Sequence, residues 1–231
     1  MLTFPIFPAT ADTITLKDGS TLEGRIGARD DTTVLISVPG RGVLKVSKDS
    51  ISAITEGEAP GGEKPMHGME VDDLRFLSCG EYFTEVKNSL KNAKDSIRVM
   101  MYFIKYSGSP GHPVTELVEL LADAQKRGVK VEVLLETSAE EGVTVANRKA
   151  AGFLTQDGVD VRFHPVYPIM HTKLVIIDGT VTILGSHNWT AASTRSNVES
   201  SVLIKSAPVA RKYEDYFNKH FKQGKPYHKG E

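Results

Sequence analysis

Residues 171–188, which read HTKLVIIDGTVTILGSHN, decide the fold of this 231-residue chain. The first half of the stretch has the pattern of a β-strand. Alternation places His171 and Lys173 on the same face, because successive side chains of a strand point to opposite sides. Apolar residues from 174 to 177 then fill both faces, as in a strand buried at the centre of a sheet. The sequence therefore predicts a buried strand whose first residues present an imidazole beside an ammonium group.

The second half of the stretch predicts the return of the chain along this strand. Asp178-Gly179 is a typical hairpin turn, and residues 180–184 form the predicted return strand. Ser186 and Asn188 follow where that strand ends. A hairpin brings its two open ends together, so we expect these two polar side chains to lie near His171 and Lys173.

These four side chains fit the cleavage of a phosphodiester. Lys173, Ser186 and Asn188 could bind the non-bridging oxygens of a phosphate through one positive charge and two neutral donors. An imidazole such as that of His171 can attack the phosphorus or protonate the leaving oxygen.

The complete spacing resembles the H-x-K-x4-D-x6-G-S-x-N signature of the phospholipase D superfamily. The matching residues are His171, Lys173, Asp178, Gly185, Ser186 and Asn188. Glu199 in SNVES resembles the acidic residue that follows the motif in this family. The runs AKDSIRVMMYFI and KRGVKVEVLLE also fit, so the resemblance covers residues 66–222. Six specified residues at fixed offsets make a specific motif.

The resemblance implies a fold and a set of site residues. The fold is an α/β domain with a phospholipase D-like mixed β-sheet flanked by helices. The implied catalytic residues are His171, Lys173, Asp178 and Glu199, and the implied phosphate-binding residues are Lys173, Ser186 and Asn188. The carboxylates, Asp178 less clearly than Glu199, are expected to hydrogen-bond the imidazole. Asp178 before Gly179 is also explained by the turn alone.

The family usually presents two copies of the motif around one active site, whereas this chain has one. It therefore resembles the short bacterial nucleases of the superfamily, and we expect a homodimer that pools two copies of His171 across a two-fold axis. The hypothesis is a metal-independent endonuclease that cleaves DNA or RNA through a phosphohistidine. Two alternatives remain: a phospholipase D or phosphatidyl transferase, and a non-catalytic module that binds phosphate or nucleic acid.

No cofactor or metal is predicted. A site built from His112, His164, His171 and His187 lacks a close carboxylate-histidine spacing, and the family chemistry needs no metal. Cys79 is the only cysteine, which excludes an internal disulfide framework and a cysteine-rich zinc site. The net charge of −1 gives no overall signal for nucleic acid, although residues 205–229 carry seven Lys or Arg against two acids. No stretch is long and apolar enough to cross a membrane.

The sequence pattern of residues 1–66 differs from that of the rest of the chain. Residues 12–55 form short alternating runs separated by Asp-Gly and Pro-Gly turns, which predicts a small all-β barrel of the SH3-like or Sm-like type, of unknown ligand. Residues 56–66 are rich in Gly, Pro and Glu and predict a linker. Residues 1–11 are an N-terminal arm or the remnant of an export signal. The protein is exported if residues 2–11 are such a remnant, and otherwise cytoplasmic.

From residue 67 to 231 strands and helices alternate, which indicates an α/β catalytic domain. Predicted helices cover residues 81–94, 113–126, about 145–156 and about 208–221. The connecting loops 105–113, 137–142 and 164–170 lie at strand ends, where open α/β sheets bind ligands. The last of these loops, HPVYPIM, is the one that resembles a lipid-facing loop.

Overall fold

The computed structural model describes residues 11–57, 68–138 and 140–228. The chain divides into two compact units, with the boundary between residues 65 and 66. The predicted N-terminal arm and most of the predicted linker lie outside the described residues. Each unit is described by itself below.

The first unit is a single antiparallel sheet of five strands. Its strands stand in the order β4-β3-β2-β1-β5. Ile14, Val34 and Ile36 are fully buried between its strands, so the alternation in the sequence correctly predicted an apolar inner face. The strands are β1 (Asp12–Leu16), β2 (Thr21–Arg29), β3 (Thr33–Val38), β4 (Gly42–Ser47) and β5 (Ile51–Thr55).

The prediction of a closed barrel is wrong for the described residues, although the all-β class is confirmed. The edge strands β4 and β5 do not pair with each other. A 3₁₀ turn at Lys48–Ser50 separates them, and β5 continues from it to pair with β1 on the other side of the sheet. β4 buries only Val46 and β5 buries no residue, so little apolar surface favours their closure.

The second unit is built on a mixed sheet of eight strands, which confirms the predicted α/β class. Their order is β13-β9-β8-β7-β10-β11-β12-β6. β7, β8 and β9 are mutually parallel, and the other neighbours are antiparallel. The strands are β6 (Asp73–Leu77), β7 (Ser96–Met101), β8 (Lys130–Leu135), β9 (Asp160–Phe163), β10 (Lys173–Ile177), β11 (Val181–Gly185), β12 (Ser201–Lys205) and β13 (Lys225–Pro226).

β10 is the central strand that the sequence predicted. All five of its residues are buried. Val175 and Ile177 pack into the larger apolar core on one face of the sheet, and Leu174 and Ile176 pack into the smaller core on the other face. The predicted hairpin with β11 is formed, and its turn has positive φ angles at Asp178 and Gly179.

Helices cover both faces of this sheet. Residues of α1, α2 and α3 contribute to the larger core, whereas α5 supplies Ala210, Phe217 and Phe221 to the smaller one. The helices are α1 (Cys79–Asn92), α2 (Pro113–Lys126), α3 (Glu141–Leu154), α4 (Ala191–Arg195) and α5 (Ala207–Gln223). None of the helices in the described part of the chain has the length and apolarity needed to span a membrane.

Candidate active site

Most of the predicted site residues meet at one edge of the eight-stranded sheet. β10 begins at Lys173, and the antiparallel β11 ends opposite it at Gly185. β12 begins at Ser201 beside Gly185. The carboxyl ends of β7, β8 and β9 reach the same edge, because β7 runs antiparallel to β10 with Met101 opposite Lys173. The hairpin thus delivers His171, Lys173 and Ser186 to a common rim.

Lys173 is a buried cation, with only 6% of its surface exposed. Its Nζ donates a hydrogen bond of 2.7 Å to the carbonyl oxygen of His171 and lies 4.9 Å from the centre of the Tyr102 ring. Burial lowers the pKa of Lys173 to about 8, although the charge of Glu199 opposes the shift. Most of the lysine is therefore protonated at pH 7, and its positive charge is weakly solvated and available to a phosphate.

His171 is exposed and lies just before the strand rather than within it. Its ring packs at a tilt against Tyr102, with the ring centres 4.6 Å apart. Partial burial, and then the charge of Lys173, lowers the pKa of His171 below its ordinary value of 6.5. The imidazole is therefore mainly neutral at pH 7, which is the form with a free lone pair for attack.

Ser186 and Glu199 form a hydrogen-bonded pair on the same rim. The Ser186 hydroxyl donates to Glu199 Oε2 and accepts the backbone N–H of Ser200 at 3.1 Å. Burial alone would raise the pKa of Glu199, but hydrogen bonds from Ser186, Asn197 and Ser193 outweigh it and leave the pKa below its usual value. Glu199 is therefore ionised at pH 7 and fixes the orientation of the serine.

The expected hydrogen bond from Glu199 to the His171 imidazole is not seen among the described residues. The carboxylate is instead occupied by Ser186 and by the Asn197 side chain at 3.1 Å. Its charge acts on Lys173 and on the buried His187. Glu199 thus lies beside Ser186 at this rim, and its hydrogen bonds orient Ser186 and Asn197 rather than the His171 imidazole.

Asn188 is held in place by a buried aromatic layer. Trp189, next in the chain, is fully buried and donates its indole N–H to the Tyr82 hydroxyl at 3.0 Å. Tyr82 also stacks on His187 at 4.2 Å with nearly parallel rings. The Oδ1 atom of Asn188 is buried and finds no hydrogen-bond partner among the described residues. Asn188 therefore has one buried hydrogen-bond acceptor without a partner in the part of the chain that the structure describes.

Asp178 does not lie with the other predicted catalytic residues. It follows the far end of β10, and the five residues of this strand span about 16 Å. Its carboxylate accepts the backbone N–H groups of Lys94, Asp95 and Ser96, at 2.8–3.2 Å. The expected contact with the imidazole of its own chain is therefore corrected: Asp178 ties the hairpin turn to the start of β7.

Glu136 is a candidate residue that the sequence did not indicate. It follows β8 at the same edge of the sheet and is fully buried. Its Oε2 accepts the backbone N–H of Met170 at 2.8 Å, directly before His171, whereas Oε1 has no partner among the described residues. Burial raises the pKa of Glu136 to about 7. In the sequence Glu136 simply ends an apolar run. Only its contact with Met170, in the loop before β10, shows that it lies beside His171.

The described residues contain no group of three or more His, Cys, Asp or Glu side chains placed to hold a metal ion. Of the four histidines considered above, His164 instead contacts His220 through ring nitrogens 3.2 Å apart, and His187 contacts Ser201. The rim thus offers an exposed imidazole, a buried ammonium group, a hydroxyl and an amide. This set can bind a phosphate anion and attack its phosphorus.

Comparison with known proteins agrees with this geometry. Residues 86–221 match the family described as "Cardiolipin synthase, PLD-like domain". A protein of Rickettsia typhi named phospholipase D is 30% identical over 136 residues, covering 58% of this chain and 60% of the relative. The mitochondrial cardiolipin hydrolase of Xenopus tropicalis is 30% identical over 100 residues, covering 43% of this chain and 46% of the relative.

Among solved structures, the fold is similar to that of Nuc from Salmonella typhimurium, a phospholipase D family member. The TM-score is 0.57 and the identity is 26%, with 67% of this chain and 96% of that chain covered. The chain spans about 60% of the length of the Rickettsia relative that it matches. The family match covers more than half of the chain and includes all six residues of the His-Lys-Asp signature, so the chain belongs to the phospholipase D superfamily.

Proposed function

We propose that this protein is a phosphodiesterase, and specifically an endonuclease that cleaves DNA or RNA without a metal cofactor. The observation that carries the proposal is the exposed His171 imidazole next to the buried Lys173 ammonium group, on a rim that also holds Ser186 and Asn188. The similarity to Nuc, a phospholipase D family member whose chain is almost fully covered, supports a short member of the superfamily, and the choice of a nuclease follows from the single His-Lys-Asp motif of this chain.

The first step of the proposed reaction forms a covalent bond to His171. A neutral ring nitrogen attacks the phosphorus, and the bond between phosphorus and the leaving oxygen breaks. The leaving oxygen takes a proton from His171 of the partner subunit, which acts in its imidazolium form and is left as a neutral imidazole. Water then attacks the phosphohistidine, the P–N bond breaks, and the same partner imidazole accepts the proton of the water.

Lys173 is proposed to stabilise the charge that develops on the non-bridging oxygens. Its ammonium group is buried before substrate arrives, so it need not be stripped of water during the reaction. The side-chain N–H of Asn188 would donate to the same phosphate, and Ser186 would join it by turning its one O–H from Glu199 to a phosphate oxygen. This supply of positive charge and donors is the basis for proposing that no metal is required.

The homodimer is part of the proposal because the chain holds one His-Lys pair where the mechanism uses two imidazoles. A two-fold axis close to the rim would bring both copies of His171 to one phosphate. The single exposed His171, which contacts Tyr102 on one side, is compatible with such sharing.

A second candidate function is hydrolysis or transfer of a phospholipid headgroup. The loop before His171 exposes two apolar side chains, with 57% of Val166 and 64% of Ile169 accessible. Exposed apolar residues beside a phosphate site suit contact with acyl chains at a lipid surface. The relatives named phospholipase D and cardiolipin hydrolase favour the same substrate. Binding without turnover is the third candidate.

The deciding experiment incubates the full chain with plasmid DNA, single-stranded DNA, RNA and phosphatidylcholine vesicles, each with and without EDTA. We expect cleavage of a nucleic acid that survives chelation and is lost in His171→Ala, whose fold is checked by circular dichroism. Hydrolysis of the lipid alone would replace the nuclease by a phospholipase. Cleavage that stops with EDTA and returns with Mg²⁺ would refute the proposed chemistry. An absence of turnover, with binding retained, would indicate the non-catalytic module.

A further inference from the structure

A cavity opens on the same sheet edge as His171. It has a volume of about 330 Å³ and is lined by Thr137, Arg148, Phe163, Val166, Lys225 and Tyr227, among others. This volume is in the range of small-ligand pockets. None of these six residues has a part in the nuclease reaction proposed above.

The cavity combines positive charge with aromatic surface. Arg148, from α3, is exposed, and no ion pair with another described side chain engages it. Lys225 adds a second cation from β13. Phe163 and Tyr227 form a tilted pair with ring centres 5.9 Å apart, and both rings reach the cavity wall. Cations beside aromatic rings are the combination by which proteins hold a single-stranded nucleic acid.

The position of Tyr227 is fixed by the fold. Its backbone N–H donates to the carbonyl of Val161 at 2.9 Å. Its hydroxyl lies over Gly152 of α3, where an added Cβ would come within 3.3 Å of it. Glycine at this position therefore leaves room for the tyrosine, whose ring lines the cavity.

The cavity is connected to the catalytic rim by one short loop. Residues 164–166 line the cavity, and His171 follows five residues later. Across the sheet, β9 is three strands from β10 in the order β9-β8-β7-β10. At a strand spacing of about 4.8 Å, this separation is roughly 14 Å. A strand with one phosphate per 3.4 Å would span it with about four nucleotides, and an extended strand with fewer.

We propose that this cavity is a subsite for a nucleotide of a single-stranded polynucleotide whose scissile phosphate lies at His171. Arg148 and Lys225 bind a phosphate of the strand, and Tyr227 and Phe163 contact an unpaired base. The inference rests on the proposed nuclease function, and it adds to it a preference for single strands longer than about four nucleotides.

The test separates binding at the cavity from cleavage at the rim. Fluorescence anisotropy measures the affinity for oligo-dT of two and eight nucleotides, in the His171→Ala background of the full chain so that the probe is not consumed. Arg148→Ala is compared with the control Lys91→Ala, which removes one exposed charge from the end of α1, away from the catalytic rim.

We expect Arg148→Ala to weaken binding of the eight-nucleotide oligo-dT by about fivefold more than binding of the two-nucleotide oligo-dT. Lys91→Ala should change neither affinity. For the eight-nucleotide oligo-dT, log affinity falls linearly with log salt concentration. This slope should become shallower by about 0.7 in Arg148→Ala only, since one phosphate contact is lost. Equal effects on both lengths, or an affinity for the eight-nucleotide oligo-dT unchanged by Arg148→Ala, would overturn the subsite. Cleavage assays on the wild-type chain judge the nuclease proposal separately, because absent cleavage leaves the binding comparison intact.

Discussion

Lys173 has an environment unlike that of an ordinary surface lysine. It occupies the first position of a fully buried strand, and its ammonium group sits between a backbone carbonyl and the Tyr102 ring. Burial lowers the pKa of this group to about 8. Because this pKa is close to physiological pH, the charge of Lys173 changes within the pH range in which the rate of the proposed reaction can be measured.

The rate should therefore fall on the alkaline side of pH 8. The proposed reaction uses Lys173 in its protonated form, and that fraction decreases as the pH rises through about 8. Arginine stays protonated throughout this range. We expect wild-type kcat/KM for bis-p-nitrophenyl phosphate to decline between pH 7.5 and 9.5, and Lys173→Arg, although slower at pH 7, to lack that decline. An identical alkaline decline in both proteins would show that another group is responsible.

Asp178 illustrates the limit of reading roles from a motif. Its spacing from His171 is that of the family, yet its carboxylate accepts three backbone N–H groups at the start of β7. The sequence shows a turn former before glycine but not which distant backbone will meet it. The partners, Lys94 to Ser96, lie more than 80 residues upstream, so only the tertiary fold reveals this contact.

Replacement of Asp178 should reduce stability rather than turnover. Asp178→Ala leaves the half-buried N–H of Ser96 and the exposed N–H groups of Lys94 and Asp95 without their acceptor and retains a positive φ, which should cost about 1–2 kcal/mol of unfolding free energy. Asp178→Asn should cost less, because asparagine keeps one acceptor and tolerates this backbone region. Urea unfolding gives both values. A hundredfold loss of kcat at unchanged stability would instead restore a catalytic role.

At the scale of elements, the loop 164–170 joins β9 to His171, the proposed nucleophile. Its last residue, Met170, is fixed in two ways: its side chain is buried in the smaller core, and its backbone N–H binds Glu136. Glu136 therefore anchors the segment that positions His171, from a strand that the motif does not include.

Glu136→Gln should make the folding stability of the protein less dependent on pH. The folded-state pKa of about 7 lies above the ordinary value of 4.5, so the folded state holds the proton more tightly. This group therefore destabilises the protein increasingly as the pH rises from about 4.5 to 7. Glutamine does not titrate and still offers an oxygen to Met170. We expect the gain in Tm from Glu136→Gln to be larger at pH 8 than at pH 5, and a constant difference would contradict this account.

Most elements of the second unit could be predicted because their patterns are local. α2 has the predicted bounds, and β10 has the predicted burial on both faces. α4, of five residues, and β13, of two, carry no periodic signal and were not predicted. The first sheet was predicted to close, but whether edge strands meet depends on the path through the 3₁₀ turn rather than on alternation.

At the scale of the molecule, we propose that residues 67–231 fold and act without residues 1–65. All the proposed catalytic residues lie in the second compact unit. A chain that lacks residues 1–65 should remain soluble and retain kcat for bis-p-nitrophenyl phosphate within about twofold. The full-length chain serves as control. An insoluble or inactive truncated protein would mean that the first sheet completes the core or the dimer.

We propose that one His-Lys motif per chain forms a working site only when two chains meet. Sedimentation velocity, run in parallel with turnover of bis-p-nitrophenyl phosphate over a dilution series from micromolar to nanomolar protein, tests it most directly. We predict that specific activity falls in proportion to the fraction of dimer as the protein dissociates. A monomer that keeps full specific activity would contradict the shared site.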